Sequence, residues 1–111
     1  MIAIIWQFDV KQGRESEFER LYGVDGEWTK LNRQTRSYLG SSFLKDQNPA
    51  ARYVVVEYWS EMLVYEQHRS SRTKAIESLE KRSAELIEAT EPVAYTVDRP
   101  DRLTLVVDLR N

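Results

Sequence analysis

The sequence predicts an α+β domain in which the elements follow the order β-α-β-β-α-β. Two segments, Ile2–Val10 and Arg52–Trp59, combine β-branched and aromatic residues in the manner of strands. Two other stretches carry apolar residues three and four positions apart, which predicts amphipathic helices. The chain has 111 residues, the length of one domain.

The first half of the chain predicts a strand, a helix and a second short helix. Residues 11–13 (Lys-Gln-Gly) break the first strand, and a helix follows from Arg14. Its buried stripe consists of Phe18, Leu21 and Tyr22. Gly23 ends this helix, and Asp-Gly at 25–26 suits the start of another.

A hairpin and a helix are predicted next. A second strand covers Tyr38–Lys45, residues 46–49 are a dense turn signal, and Arg52–Trp59 is the third strand. Ser60 is suited to cap a helix with a short body over 62–68.

The last part predicts a long helix over about 73–89 and a fourth strand over 93–97, with Pro92 between them. The apolar face of this helix consists of Ile76, Leu79, Ser83, Leu86 and Thr90. The complete order is the split βαβ arrangement of ferredoxin-like domains.

We expect this domain to cover residues 1–98, with 99–111 as an extension. Its β-prone run at 103–109 is either an edge strand, paired within the chain or with a partner, or a loosely ordered tail.

The predicted strands are apolar on both faces, which bears on assembly. In the third strand, one face carries Tyr53, Val55 and Trp59. The other face carries Val54, Val56 and Tyr58. Helices cover one face of a four-stranded sheet, so the second face needs another cover. The simplest cover is a second copy of the sheet in a two-fold homodimer.

Composition excludes several classes of function. The net charge is −2 with acids and bases interspersed, so nucleic acid is not an expected partner. The absence of Cys excludes disulfides and thiolate sites, and a single His leaves metal chemistry poorly supported. The N-terminus does not resemble a signal peptide, and no apolar run approaches the length of a membrane span. We therefore expect a cytoplasmic protein that has no membrane partner.

Several short motifs, in a particular order, resemble one known family. These are Val-Lys-Gln-Gly-Arg at 10–14, Glu-Phe at 17–18, Tyr-Leu-Gly at 38–40, Glu-Tyr-Trp-Ser at 57–60 and His-Arg-Ser-Ser at 68–71. Together they resemble the antibiotic biosynthesis monooxygenase (ABM) superfamily over about residues 2–98. The segment at 22–28 resembles a subgroup of bacterial members.

The resemblance implies a dimeric α+β barrel, in which two ferredoxin-like protomers pair their sheets face to face. It implies a pocket between helices and sheet that binds flat polycyclic or quinol substrates, or haem. In the oxygenating branches, oxygen attacks the bound ring without flavin or a protein-bound metal, so no cofactor is expected. The protein desolvates and orients the ring and stabilises charge.

The resemblance also implies site residues. Trp59 matches a pocket tryptophan of the polyketide-oxidising and haem-degrading branches, although a Trp ending a core strand also serves simply to pack. The polyketide-oxidising branch has an asparagine where this chain has Val55, and the haem-degrading branch has one near Trp6 and Gln7. Trp6 and Gln7 are therefore candidate ligand contacts, with Gln7 expected to face away from Trp6.

His68, the only histidine, occupies a position where many family members carry His. It is either a base that takes a substrate proton or a helix-end residue whose ring bonds to backbone or to a carboxylate such as Glu57. Tyr65 is a further candidate contact. Arg82 is either an anchor for an anionic ligand or a surface residue with its head in water. Tyr22, Trp28 and Tyr95 fall near faces that line the expected pocket.

Three functions remain open at this point. The first is cofactor-independent monooxygenation of a phenol, quinol or polyketide-like ring. The second is a non-catalytic, small-molecule-binding or stress-associated protein that uses the same pocket. The third is a structural dimer module without a ligand, since fold analogy is weak evidence for chemistry.

Overall fold

The computed structural model describes residues 1–47, 51–71, 73–89 and 92–97. The elements are β1 (Ile2–Val10), α1 (Glu15–Tyr22), α2 (Glu27–Asn32), β2 (Tyr38–Lys45), β3 (Arg52–Trp59), α3 (Met62–Ser70), α4 (Lys74–Ala84), β4 (Ile87–Ala89) and β5 (Val93–Thr96). The predicted α+β, ferredoxin-like fold is confirmed. The predicted run at 103–109 lies outside the described residues.

The sheet is antiparallel and has the strand order β2-β3-β1, with β4 and β5 both beside β1. Strand β5 pairs with the start of β1, and β4 pairs with its end, so together they occupy the place of one broken fourth strand. In the β1–β3 pair, Trp6 lies opposite Val55 and Ile4 lies opposite Glu57. This register puts these four residues on the face that the helices cover.

The long helix is shorter than the sequence predicted. It begins after Thr73, whose hydroxyl accepts a hydrogen bond from the Ile76 amide, and it ends at Ala84 rather than near residue 89. The helix ends because the following residues make their hydrogen bonds with the sheet instead. The Leu86 carbonyl accepts a hydrogen bond from the Lys11 amide at 2.8 Å, and the next residues pair with β1. The apolar spacing that predicted helix here belongs to the turn and to β4.

The predicted cap of the short helix was also wrong. Glu61, not Ser60, precedes α3, and its side chain makes no capping hydrogen bond. The Ser60 hydroxyl instead pairs with the Ser37 hydroxyl at 2.7 Å. Ser60 therefore ties the end of β3 to the segment before β2.

The core lies between the helices and one face of the sheet. Its fully enclosed large side chains include Phe8, Phe18, Trp28, Tyr53 and Trp59. The opposite face of the sheet carries half-buried Ile5, Val54, Val56 and Tyr58, with more exposed apolar residues toward its edges: Leu44, Val93 and Tyr95. No helix in the described part of the chain covers this open face.

Candidate functional site

Glu57 is a charged residue in the core face of β3. Strand alternation turns it toward the helices with Val55 and Trp59, and it is 3% exposed. One carboxylate oxygen accepts a hydrogen bond from Trp59 Nε1 at 3.1 Å, and the Asn32 side chain also bonds to it. Burial raises the pKa of Glu57, while the Arg69 charge and these two donors oppose that rise.

His68 lies on α3, where it is held through both ring nitrogens. Nδ1 is 3.0 Å from the Thr35 hydroxyl, and Nε2 is 3.0 Å from Asn32 Oδ1. An amide oxygen can only accept, so Nε2 carries the proton and Nδ1 accepts from Thr35. Burial, followed by the charge of Arg69, lowers the pKa of His68 from its ordinary 6.5. The ring is therefore neutral at pH 7.

Trp59 forms the aromatic centre of the site. It has no exposed surface, and its ring lies 5.3 Å from those of Tyr38 and His68 and 5.4 Å from that of Tyr65. Burial raises the pKa of Tyr65 to about 12. In a single chain, Trp59 is enclosed on all sides by its neighbours.

Arg69, which follows His68, lies between two other tryptophans. Its guanidinium carbon is 4.3 Å from the ring centroid of Trp28 and 5.3 Å from that of Trp6. These are cation–π distances. Among the described residues, the carboxylate nearest to it is that of Glu80, at 3.9 Å. We call the whole group the inner site: Trp6, Trp28, Asn32, Glu57, Trp59, Tyr65, His68 and Arg69.

The structure thus brings together four of the six predicted site residues: Trp6, Trp59, Tyr65 and His68. Gln7 is on the open face of the sheet, because its Cα partner on β3 is Val54. Arg82 is exposed on α4 and forms a bidentate ion pair with Glu27. It borders a charged surface groove of about 320 Å³ on the outer side of the helices. Both residues lie apart from the inner site.

Of the three further candidates, Trp28 belongs to the inner site and Tyr22 packs against it. Tyr22 is half-buried, with its ring 6.0 Å from that of Trp28, and Trp28 Nε1 donates to the Ser83 hydroxyl at 3.1 Å. Tyr95 is 53% exposed on the open face. The sequence pattern did not indicate Asn32 or Arg69, and it indicated Glu57 only as a partner of His68.

A metal centre finds no support in the described ranges. No group of three or more His, Asp or Glu side chains there is placed to hold a metal ion. None of the helices in those ranges has the length and apolar character needed to cross a membrane.

The fold and the inner site together define a ferredoxin-like α+β protein with an aromatic interior around a neutral histidine. The family model for antibiotic biosynthesis monooxygenase matches residues 1–75. The chain belongs to this family, which confirms the resemblance drawn from its motifs.

Solved structures support the same fold. SnoaB, a cofactor-independent oxygenase from Streptomyces nogalater, superposes with a TM-score of 0.76 at 13% identity, covering 91% of this chain and 96% of SnoaB. HapK from Hahella chejuensis has a TM-score of 0.71 at 15% identity, covering 90% of this chain and 95% of HapK. A NIPSNAP domain protein from Burkholderia xenovorans has a TM-score of 0.67 at 15% identity, covering 91% of this chain and 100% of that protein. No functionally curated protein matched the chain in a sequence comparison.

Proposed function

We propose that the protein is a cofactor-independent monooxygenase that acts at the inner site on a flat aromatic ring of the phenol, quinol or polyketide-like type. The observation that carries the proposal is the arrangement of His68, a neutral base half-buried beside the enclosed Trp59 ring. Family membership supports it, and so does the fold shared with SnoaB, an oxygenase that works without a cofactor.

His68 would begin the reaction as a general base. Its Nδ1 lone pair accepts from the Thr35 hydroxyl, so a substrate hydroxyl would take the place of Thr35 to reach it. Loss of the hydroxyl proton makes the ring an electron-rich anion that can pass an electron to oxygen. Removal of such a base typically costs 10²- to 10⁴-fold in rate, on the order of what one proton transfer supplies.

The overall reaction balances without another reductant. A ring C–H and the hydroxyl O–H are lost, one atom of O₂ becomes a new ring carbonyl oxygen, and the other leaves as water with the two hydrogens. Protonated His68 returns its proton to the departing oxygen. Trp59 and Tyr65 form apolar walls, which exclude water and strengthen the electrostatic interactions inside the site.

We further propose that the working form is a homodimer that buries the open face of the sheet. Val54, Val56 and Tyr58 are half-buried there while the edge residue Tyr95 is 53% exposed. Exposed apolar patches of this kind mark interaction surfaces. A second copy, related by a two-fold axis, would cover the patch with the same residues.

Two observations favour a second function, that of a small-molecule-binding protein without turnover. Val55, 3% exposed, offers no hydrogen-bond donor at the position where the polyketide-oxidising branch carries asparagine. Trp59 is enclosed, so a ligand would have to displace its neighbours. Under this proposal the inner site binds a flat ring but leaves it unchanged.

Oxygen uptake with a panel of quinols, naphthols and anthrols distinguishes the two functions. The monooxygenase proposal predicts uptake by the wild type and a loss of about 10²-fold or more in His68→Gln. Gln67→Ala, at the exposed neighbouring position of α3, is the matched control and should keep full activity. Zero uptake across the panel, together with saturable binding of the same compounds, would favour the binding protein.

A further inference from the structure

The inner site contains an indole donor without an acceptor. Trp28 Nε1 donates to Ser83, and Trp59 Nε1 donates to Glu57. Trp6 Nε1 is buried and has no hydrogen-bond partner among the residues that the structure describes. Buried donors are nearly always paired, because a buried donor without a partner has lost its hydrogen bond to water and gained none in return. An orphaned donor inside a candidate site therefore points to a group that binds there.

The guanidinium of Arg69 is a second source of unused donors beside the same ring. It has five N–H groups, and within the described ranges its nearest carboxylate contact is Glu80 at 3.9 Å, beyond hydrogen-bond distance. Its side chain is only 18% exposed, so water reaches little of it. The rings of Trp28 and Trp6 hold the cation in position without using its N–H edge.

Arg69 is the one cationic group of the inner site, and among the described residues no carboxylate lies within hydrogen-bond distance of it. The charge of Arg69 acts on the carboxyl group of Glu57, but the hydrogen bonds of that carboxyl group come from Trp59 and Asn32. Glu80 contacts Arg69 from the half-exposed side of α4, with 38% of its side chain exposed. His68, also near Arg69, is neutral at pH 7. A partly desolvated guanidinium without a hydrogen-bonded carboxylate gains from an anionic oxygen that accepts its N–H groups, because the surrounding dielectric is low.

We propose that Arg69 and Trp6 Nε1 together bind an anionic oxygen on the ligand, so that the site selects flat aromatic rings carrying a carboxylate or an ionised hydroxyl. This rests on the proposed function only in taking the inner site as the place where a ring binds. The two donors would supply the charge stabilisation that Val55 cannot give. Arg69 is then a ligand-binding residue that determines specificity.

Ligand titrations monitored by tryptophan fluorescence and calorimetry test the proposal with matched naphthalene probes. Naphthoate is anionic near neutral pH, naphthamide is its neutral isostere, and nitronaphtholate carries its charge on a ring oxygen. We expect the wild type to bind at least one anion about tenfold more tightly than naphthamide, the effect of a charge-assisted hydrogen bond. The anion that binds more tightly identifies the preferred group.

Arg69→Met should abolish the preference and leave naphthamide binding in place, whereas Arg69→Lys should retain part of it. Trp6→Phe should reduce the preference without removing it, and it provides a readout if Arg69→Met does not fold. Arg36→Met removes an exposed arginine and should change nothing.

Three results would overturn the proposal: equal affinity of the wild type for anions and amide, an unchanged preference in folded Arg69→Met, or no binding of any probe. Equal affinities combined with oxygen uptake on neutral quinols would reject the anion site and keep the monooxygenase. A strong preference for anions without oxygen uptake on any ring would keep the anion site and reject the monooxygenase.

Discussion

Nε2 of His68 donates a hydrogen bond to Oδ1 of Asn32 at 3.0 Å, joining the end of α3 to the end of α2. The Asn32 amide group then bonds to Glu57, so one asparagine fixes the orientation of both a base and a buried carboxyl. Asn32 is itself 1% exposed. This side chain therefore organises the inner site without needing to touch a ligand.

Asn32→Ala should lower the free energy of unfolding by about 3 kcal/mol, because it leaves buried polar groups of Glu57 and His68 without partners. Urea unfolding followed by tryptophan fluorescence measures the change. Gln34→Ala, at an exposed position nearby, should stay within about 0.5 kcal/mol of wild type. A loss as small in Asn32→Ala as in the control would show that the network contributes little.

The pKa of Glu57 predicts how stability depends on pH. Burial raises this pKa above its ordinary 4.5, so between the two values the folded state binds more protons than the unfolded state. This contribution to wild-type stability is complete below 4.5 and is lost as the pH rises through the folded-state value. Glu57→Gln lacks the titration, so its stability relative to wild type should increase across that pH window.

Unfolding curves for the two proteins at a series of pH values provide the measurement. The titration of His68 contributes a slope of its own, and most of it cancels in the difference because both proteins retain this residue. A stability difference that stays constant from acid to neutral pH would contradict the raised pKa of Glu57.

His68 should titrate below 6.5 in a proton NMR titration, because burial and the charge of Arg69 both disfavour its cationic form. Removal of that charge in Arg69→Met should move the pKa upward, toward 6.5. Nitrogen chemical shifts should identify Nε2 as the protonated atom at neutral pH. A pKa of 6.5 or higher in the wild type would mean that the ring is not held neutral as the contacts indicate.

Dimerisation through the open face predicts that a charge at its centre separates the subunits. Val56 is half-buried opposite Ile5 and Ser42, so Val56→Lys should convert the dimer to a monomer in analytical ultracentrifugation. Ser78→Lys adds the same charge on the exposed side of α4 and should remain a dimer. A monomeric wild type at micromolar concentration would reject the assembly.

Most of the fold was predictable from two features of the sequence: the alternation of apolar residues in the strands and the order of the predicted elements. The bounds of β2 and β3 agree with those predicted, because a period of two along a half-buried strand is a strong signal. The end of α4 was mispredicted because residues 86–89 have apolar spacing that suits a helix or a strand, and only the unpaired end of β1 decides between them. The apolar spacing within residues 86–89 gives no information about pairing with the distant strand β1.

The site was only partly predictable for a related reason. Glu57 breaks the apolar alternation of β3 at an inward position, and this signal was present in the sequence. No comparable sequence signal distinguishes Asn32 and Arg69, since polar residues on short helices are usually solvated. Their roles arise from the packing of α2 and α3 over the sheet, which joins residues 36 positions apart.

Isotope labelling tests whether the inner site inserts one oxygen atom from O₂ into an aromatic ring. The measurement is mass spectrometry of the product formed under ¹⁸O₂ by purified protein with a metal chelator and without added flavin. We expect a single labelled oxygen in a quinone product, formed by the wild type and by Gln67→Ala but not by His68→Gln. A product without the label, or equal labelling with His68→Gln, would contradict it.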